Sequence, residues 1–232
     1  MKSPHKFLLA TSLGLLLSTS TLLADTMSPK DIAKKVYNSL DKRQSYAFDA
    51  IIVNHSDDGK NKHHVSVKVN RPNQLRVDVA GDIRNRSNYL NDGLYTIYDH
   101  KKNYYLHIDT PKNIEDTLDA LFDTFEIKAP LAQLVYTNMG EKIKFDRSKN
   151  FGIVDLNGVE CHYIAFSDKT KEVHVWITTG ETPLVKHYRI VDKTSTNNAY
   201  KSTTIYWKGA KTISPNDFVF TAPKKSQEVF IN

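Results

Sequence analysis

Hydrophobic positions along this chain follow two periods, and the points where one gives way to the other divide it into elements. Ile32, Ala33, Val36, Tyr37 and Leu40 recur at the spacing of one helical face. Ser28, Pro29 and Asp31 supply the start of that helix: a side-chain cap, a first-turn proline and an early acid. From Ser45 the period drops to two. Tyr46, Phe48, Ala50 and Ile52 alternate with smaller or polar neighbours, and Val65, Val67 and Val69 do the same after a turn at Asp57-Asp58-Gly59. Leu75, Val77 and Val79 follow the break at Arg71-Pro72-Asn73, and Asp92-Gly93 separates a strand around Tyr89 from one over Leu94 to Tyr98. Tyr104, Leu106 and Ile108 close the first half.

The middle returns to helical spacing. Thr110-Pro111 is expected to cap a helix whose apolar stripe is Ile114, Leu118, Leu121, Phe122 and Phe125, with Glu115, Asp116, Asp119 and Asp123 on its other face. Pro130 is expected to start a third, shorter helix through Leu131, Leu134 and Val135, ending before Gly140. Strands then resume at Val159 to Ala165, Val173 to Ile177, Leu184 to Val191 and Tyr200 to Lys208, with short pieces at 218–220 and 229–231. About ten short strands in one domain predict a highly curved antiparallel sheet or barrel, of mainly β (α+β) class.

A separate apolar run precedes all of this. Lys2, His5 and Lys6 form a basic start, Phe7 to Leu17 is apolar, and Leu22-Leu23-Ala24 ends on a small residue before Asp25. That is the layout of a secretory signal peptide, so 1–24 is expected to be removed and 25–232 to form a single domain outside the cytoplasm. The run is shorter than the roughly 20 residues that span a bilayer, and no second run reaches that length. No Cys stands at the cut, which closes acylation there. The mature chain is expected to be soluble, not transmembrane and not lipidated.

Composition changes the picture little. Removing 24 of 232 residues leaves about 208, enough for a sizeable core. Losing Lys2 and Lys6 takes the formal net charge from +6 to about +4, too weak and scattered an excess to argue for nucleic acid. It permits contact with anionic head groups or acidic proteins. The single cysteine, Cys161, excludes an internal disulfide and reads as a buried thiol within an alternating strand.

Catalytic and metal chemistry find no motif. His63 and His64 are adjacent on a strand and so point to opposite faces; His162, His174 and His187 could converge only if strand register allowed. There is no Gly-x-Ser-x-Gly elbow, and the few glycines form no phosphate-cradling loop. No enzyme, cofactor or metal is expected. The aromatic content, 12 Tyr, 10 Phe and two Trp, falls mostly within strands, where it can fill a core or line the cavity of an open barrel.

Specific residues then resemble a family. Val69-Asn70-Arg71-Pro72-Asn73 is similar to the Lys-Arg-Pro-Asn strand junction of the periplasmic lipoprotein carriers of the LolA group. The run from Tyr89 to Asp99 around Asp92-Gly93 is similar to that group's Ser-Asp-Gly-Lys turn, and 218–223 to its closing Phe-Thr-Phe-x-Pro-Pro. The second half, from Val175-Trp176-Ile177 to Tyr206-Trp207, resembles the DUF2092 family of predicted periplasmic proteins within the same superfamily. The resemblance implies an incomplete antiparallel β-barrel, with an N-terminal helix and a helical lid, around an apolar cavity for acyl chains. It implies a ligand-binding set of Phe48, Ile52, Val77, Tyr98, Ile114, Leu118, Leu121, Phe122, Phe125 and Trp176. It also implies Arg71 as a lid latch; capping its own strand junction is the alternative. The chain departs from the carriers between Thr110 and Gly140, where cargo choice should reside.

The resulting expectation is a periplasmic, monomeric, non-catalytic carrier or binding protein for a lipid or acyl chain, or for a lipoprotein. Lipoproteins or inner- or outer-membrane proteins are expected as further partners, with donor and acceptor left open. The alternative is an envelope regulatory or scaffold protein that senses lipid or a partner protein.

Overall fold

The computed structural model describes residues 27–56, 59–127, 130–137, 144–195, 197 and 199–230. The expected signal segment, residues 1–24, lies outside the described residues. Helix α1 spans Pro29–Asp41 and leads into β1 (Ser45–Ser56), β2 (Gly59–Asn70), β3 (Gln74–Gly81), β4 (Asn85–Asn91), β5 (Leu94–Asp99) and β6 (Tyr104–Asp109). Helix α2 (Ile114–Phe125) and a 3-10 turn at Ala132–Leu134 precede β7 (Arg147–Asp155), β8 (Glu160–Ser167), β9 (Lys171–Thr178), β10 (Val185–Asp192) and β11 (Tyr200–Lys208). A short β12 (Gln227–Glu228) follows.

The twelve strands among the described residues belong to one sheet, in the order β12-β6-β5-β4-β3-β2-β1-β11-β10-β9-β8-β7. Pairing is antiparallel throughout except where β12 lies parallel to β6 and covers its edge. The chain thus builds one wing outward from β1 to β6, crosses through α2, and builds the second wing from β7 back to β11 beside β1. The ends do not meet. This is the incomplete antiparallel barrel expected from the sequence, with more strands than the alternation alone suggested.

Alternation explains the core. Tyr46, Phe48, Ala50 and Ile52 on β1, Val65, Val67 and Val69 on β2, and Leu75, Val77 and Val79 on β3 are buried on the concave face. The Val, Leu, Ile and Phe side chains among them each contribute roughly 1.5–3 kcal/mol on burial. The β4–β5 hairpin closes through Asp92 (φ 49°) and Gly93 (φ 93°), the left-handed pair a two-residue turn requires.

The helices dock by their apolar stripes. In α1, Ser28 Oγ accepts a hydrogen bond from Asp31 N at 3.2 Å, and Ile32, Ala33, Val36 and Leu40 are buried. In α2 the cap is Asn113, whose Oδ1 accepts from Asp116 N at 2.8 Å, and not Thr110. Thr110 is engaged elsewhere: its N–H donates to Gly93 O at 2.8 Å. The helix ends at left-handed Glu126, with Glu126 N donating to Phe122 O and Ile127 N to Leu121 O, a closed C-terminal turn. The third helix expected from Pro130 is only the turn at Ala132–Leu134 among the described residues, because Leu131 adopts φ 64° and breaks the right-handed path.

Residues 215–220 strap the convex face of the first wing. Phe218 is buried, Asp217 pairs with Lys68 at 2.6 Å, and Arg76 Nη1 donates to Asp217 O at 3.2 Å. Phe220 sits among Tyr89, Tyr98, Tyr105 and His107, with ring centroids 5.1–6.0 Å away.

Candidate functional site

Between the concave face of the second wing, α1 and the segment after α2 lies a cavity of about 720 Å³. Its volume falls within the roughly 300–1,000 Å³ range of small-molecule sites. Three strands supply most of one wall: Ile164 and Phe166 from β8, Val173, Val175 and Ile177 from β9, and Val185, Tyr188 and Ile190 from β10. Ala33, Val36 and Tyr37 of α1 and Pro130, Leu131 and Leu134 close it from above. Ile52, Val65 and Val79 reach it from the first wing. Burial pushes the Tyr37 phenol up to about 12, so it stays neutral. Polar groups are few: Gln133 donates to Tyr188 Oη at 2.7 Å, and Asn54, His63, Arg84, Lys171 and Lys201 gather at one end.

Of the ten residues expected to bind ligand, Ile52 lines this cavity. Phe48 and Val77 face the same concave side but are packed solid outside it, Phe48 against Trp207 at 4.8 Å. Ile114, Leu118 and Leu121 are buried within the core cluster, while Phe122 and Phe125 are 47% and 38% exposed on the helix's outer side. Tyr98 and Trp176 lie on the convex face: Tyr98 under Phe220, Trp176 stacked on Tyr163 at 4.5 Å. Parity decides this, since Val175 and Ile177 point inward and Trp176 between them must point out. The segment that roofs the cavity is therefore 130–134 together with α1, and not the stripe of α2.

The sequence reading missed the second-wing aliphatics as a wall, and missed Arg84, Lys171 and Lys201. Lys201 shares the inward parity of Thr203, Ile205 and Trp207, an unusual place for a cation and the signal that marks it.

Arg71 stands at the opposite end, at the β2–β3 turn, where the Arg71–Pro72 peptide is cis. Its Nη2 donates to Val135 O at 2.6 Å and to Tyr46 Oη at 3.3 Å, and its Nη1 lies 3.4 Å from Glu115 Oε1. Tyr46 Oη donates to Leu134 O at 2.9 Å, and Glu115 Oε1 accepts from Thr137 N at 2.7 Å. Pro72 O accepts from Ile114 N at 2.8 Å. One guanidinium thus touches the strand floor, the first turn of α2 and the segment that roofs the cavity. Burial raises the Tyr46 pKa to about 12 although the Arg71 charge works against it.

The histidines are dispersed among strand faces. His174 Nδ1 lies 2.8 Å from Tyr163 Oη, and His187 contacts the hydroxyls of Thr204 and Ser202, both on the convex side. No group of three metal-binding side chains is found among the described residues. Ser87 Oγ lies 2.8 Å from His100 Nε2 but donates its proton to Asp78 Oδ1 at 2.5 Å, so the hydroxyl stitches strands together. Cys161 is fully buried, and burial raises its thiol pKa.

An open antiparallel half-barrel curled around an apolar cavity is the class of protein these features define. The chain belongs to the DUF2092 family, described as predicted periplasmic proteins, which matches residues 30–232. Among solved structures, an uncharacterized conserved protein from Thermus thermophilus superposes with a TM-score of 0.52 at 11% identity, covering 86% of this chain and 97% of that one. That likeness is one of fold. The MucA/MucB complex of Pseudomonas aeruginosa matches at a TM-score of 0.46 and 11% identity, over 83% of this chain and 61% of that one. A LolA superfamily protein from Nitrosomonas europaea matches at 0.35 and 7% identity, over 84% and 98%. No curated protein matches the sequence. No helix among the described residues is long and apolar enough to cross a membrane.

Proposed function

We propose that this protein is an exported, non-catalytic carrier or binding protein for a lipid or acyl chain, with the cavity of the second wing as its site. The observation that carries the reading is the cavity itself: about 720 Å³, walled by aliphatic and aromatic side chains from α1, β8, β9 and β10. Well-packed interiors hold few voids larger than a water molecule, so an apolar space of this size reads as room for a ligand. In this reading the first 24 residues direct export and are removed near Asp25, no lipid anchor is attached, and the mature chain acts as a monomer.

Arg71 is the proposed latch. Its contacts to Val135 O and Glu115 hold the roofing segment to the strand floor, and releasing them would open the cavity from that end. Opening of this kind would let a long chain enter without unfolding the sheet.

A second reading, an envelope sensor or scaffold, draws on the convex face of the second wing. There Phe151 is 42% exposed and stacks on Tyr163, which stacks on Trp176. Native mass spectrometry with lipid extraction, on mature protein purified from a membrane-containing host, separates the two. Co-purifying lipid supports the carrier. A clean apo mass together with no binding of an apolar fluorescent dye would leave the sensor or scaffold.

A further inference from the structure

The charged side chains that line the cavity are Arg84, Lys171 and Lys201, every one a cation, and no carboxylate lines it among the described residues. Strand register puts them at one end. Lys201 faces Asn54 on β1 and Ile190 on β10, Lys171 faces Asp192 at the start of β9, and His63 faces Ile52 and Gly81. Arg84 sits in the β3–β4 turn at the same end. The far end, by Val185, Ile177 and Leu134, is aliphatic. The cavity is therefore an apolar sleeve with a cationic mouth.

The acids nearby are already engaged. Asp82 Oδ2 accepts from Lys62 N at 2.7 Å, Asp168 Oδ1 from the amides of Thr170 and Lys171, and Asp192 Oδ1 from Thr194 N and Oγ1. They shape turns, and among the described residues none closes an ion pair with Arg84, Lys171 or Lys201. Partial enclosure by the wall, then the neighbouring Arg84 charge, lower the Lys201 pKa. Burial first, then Arg84, with Lys201 adding a smaller push and Asp82 opposing, lower that of His63, whose Nδ1 is buried without a partner among the described residues. Arg84, Lys171 and Lys201 are exposed to solvent at this mouth, Lys171 also within the field of Asp168 and Asp192, so the lining there is cationic and an anionic group placed at it meets favourable charge.

We propose that the ligand is an amphiphile with an anionic head, its chain in the aliphatic sleeve and its carboxylate or phosphate between Arg84, Lys171 and Lys201. This rests on the carrier reading and narrows its substrate class. A free anion gains nothing from the sleeve, and a neutral lipid leaves the cations unpaired. An anionic amphiphile satisfies both, because the ion stays at the wet mouth while only apolar groups are desolvated. Arg84 can grip two oxygens of one head group through its planar fork, and the two lysines add point charges.

The test uses the delipidated mature protein with a neutral apolar dye in the cavity, displaced by hexadecanoate, hexadecanol and methyl hexadecanoate in turn. Hexadecanoate should displace the dye at least about tenfold better than the two neutral molecules, as charge-assisted contacts warrant. In Arg84→Met and Lys201→Met the ratio of hexadecanoate to hexadecanol affinity should shrink severalfold, with an unchanged urea-unfolding midpoint as the control for folding. Phosphatidate displacing as well as hexadecanoate would extend the head group to phosphate and support the proposal. Inorganic phosphate alone lowering the apparent affinity of hexadecanoate, with no displacement by phosphatidate, would mark a plain anion site and overturn it. Equal displacement by acid and alcohol in the unmutated protein would also overturn it while leaving an apolar lipid site standing. Failure of the dye and of every chain to bind would remove the carrier reading itself.

Discussion

Arg71 concentrates more long-range contacts than any local role requires, reaching Tyr46, Glu115 and Val135 from one turn. A lysine keeps the charge but loses the fork, so Arg71→Lys should retain one contact and drop the others. The expected cost is about 1.5–3 kcal/mol at most. Amide hydrogen exchange should rise in 130–137 and the first turn of α2, with the strands unchanged. Increased exchange confined to 65–80 would reduce Arg71 to a cap on its own strand junction. His63 makes a second residue-level prediction. Its folded pKa is lowered, so the unfolded chain, with an ordinary value near 6.5, takes up the proton first as the pH falls. Stability should therefore decline as the pH drops from about 7 until the folded pKa is passed. His187, lowered by burial and Arg189, adds to the same slope. His63→Gln should flatten part of it in urea unfolding at several pH values; an unchanged slope would show that His63 is as easily protonated folded as unfolded.

Among the elements, the C-terminal strap was visible in the sequence as two short apolar pieces, the first within a run that resembles the carriers' closing motif. It proves to be a seal over the convex face of the first wing, anchored by buried Phe218 and by the Lys68–Asp217 pair. Phe218→Ala should cost about 3–5 kcal/mol by removing a fully buried ring, and exchange should rise at β12 and β6. A loss below about 1 kcal/mol would mean that the strap is dispensable. Helix α1 and the alternating strands were legible because each repeats a single period and carries its own stop signals. The cap of α2 was not: Thr110 has the right chemistry, but pairing with Gly93 consumes it and passes the role to Asn113. The third helix failed for a backbone reason, the left-handed Leu131, which no side-chain pattern announces.

For the whole molecule, the cavity lies in the second wing because the two wings are filled differently. In the first wing Val69, Leu75, Tyr95 and Ile108 pack with Leu118 and Leu121 of α2 into the solid core. In the second wing α1 and the 130–134 segment bridge the concave face and leave space beneath. Filling that space is a direct test of its role. Val175→Trp should lower affinity for an apolar dye by tenfold or more, at a stability change of about 1–3 kcal/mol or less. Undiminished binding by a folded variant would place the ligand elsewhere.

Sequence alone determined the quantities that depend on local chemistry. These are the period of each element, the cap of α1, the turn at Asp92-Gly93, the half-barrel class and the membership that residues 30–232 display. The junction that holds Arg71 was also legible as a motif, while its role as a latch stays a proposal. The tertiary structure decided which buried residues fill a core and which border a space. That depends on how far apart the facing elements sit, and no one-dimensional pattern encodes a distance. It also decided the fate of the large aromatics. Tyr98 and Trp176 have the size expected of a ligand pocket, but strand parity sends both to the convex face. The same parity turns Lys201 inward, at the end of the cavity that Lys171 and Arg84 also line.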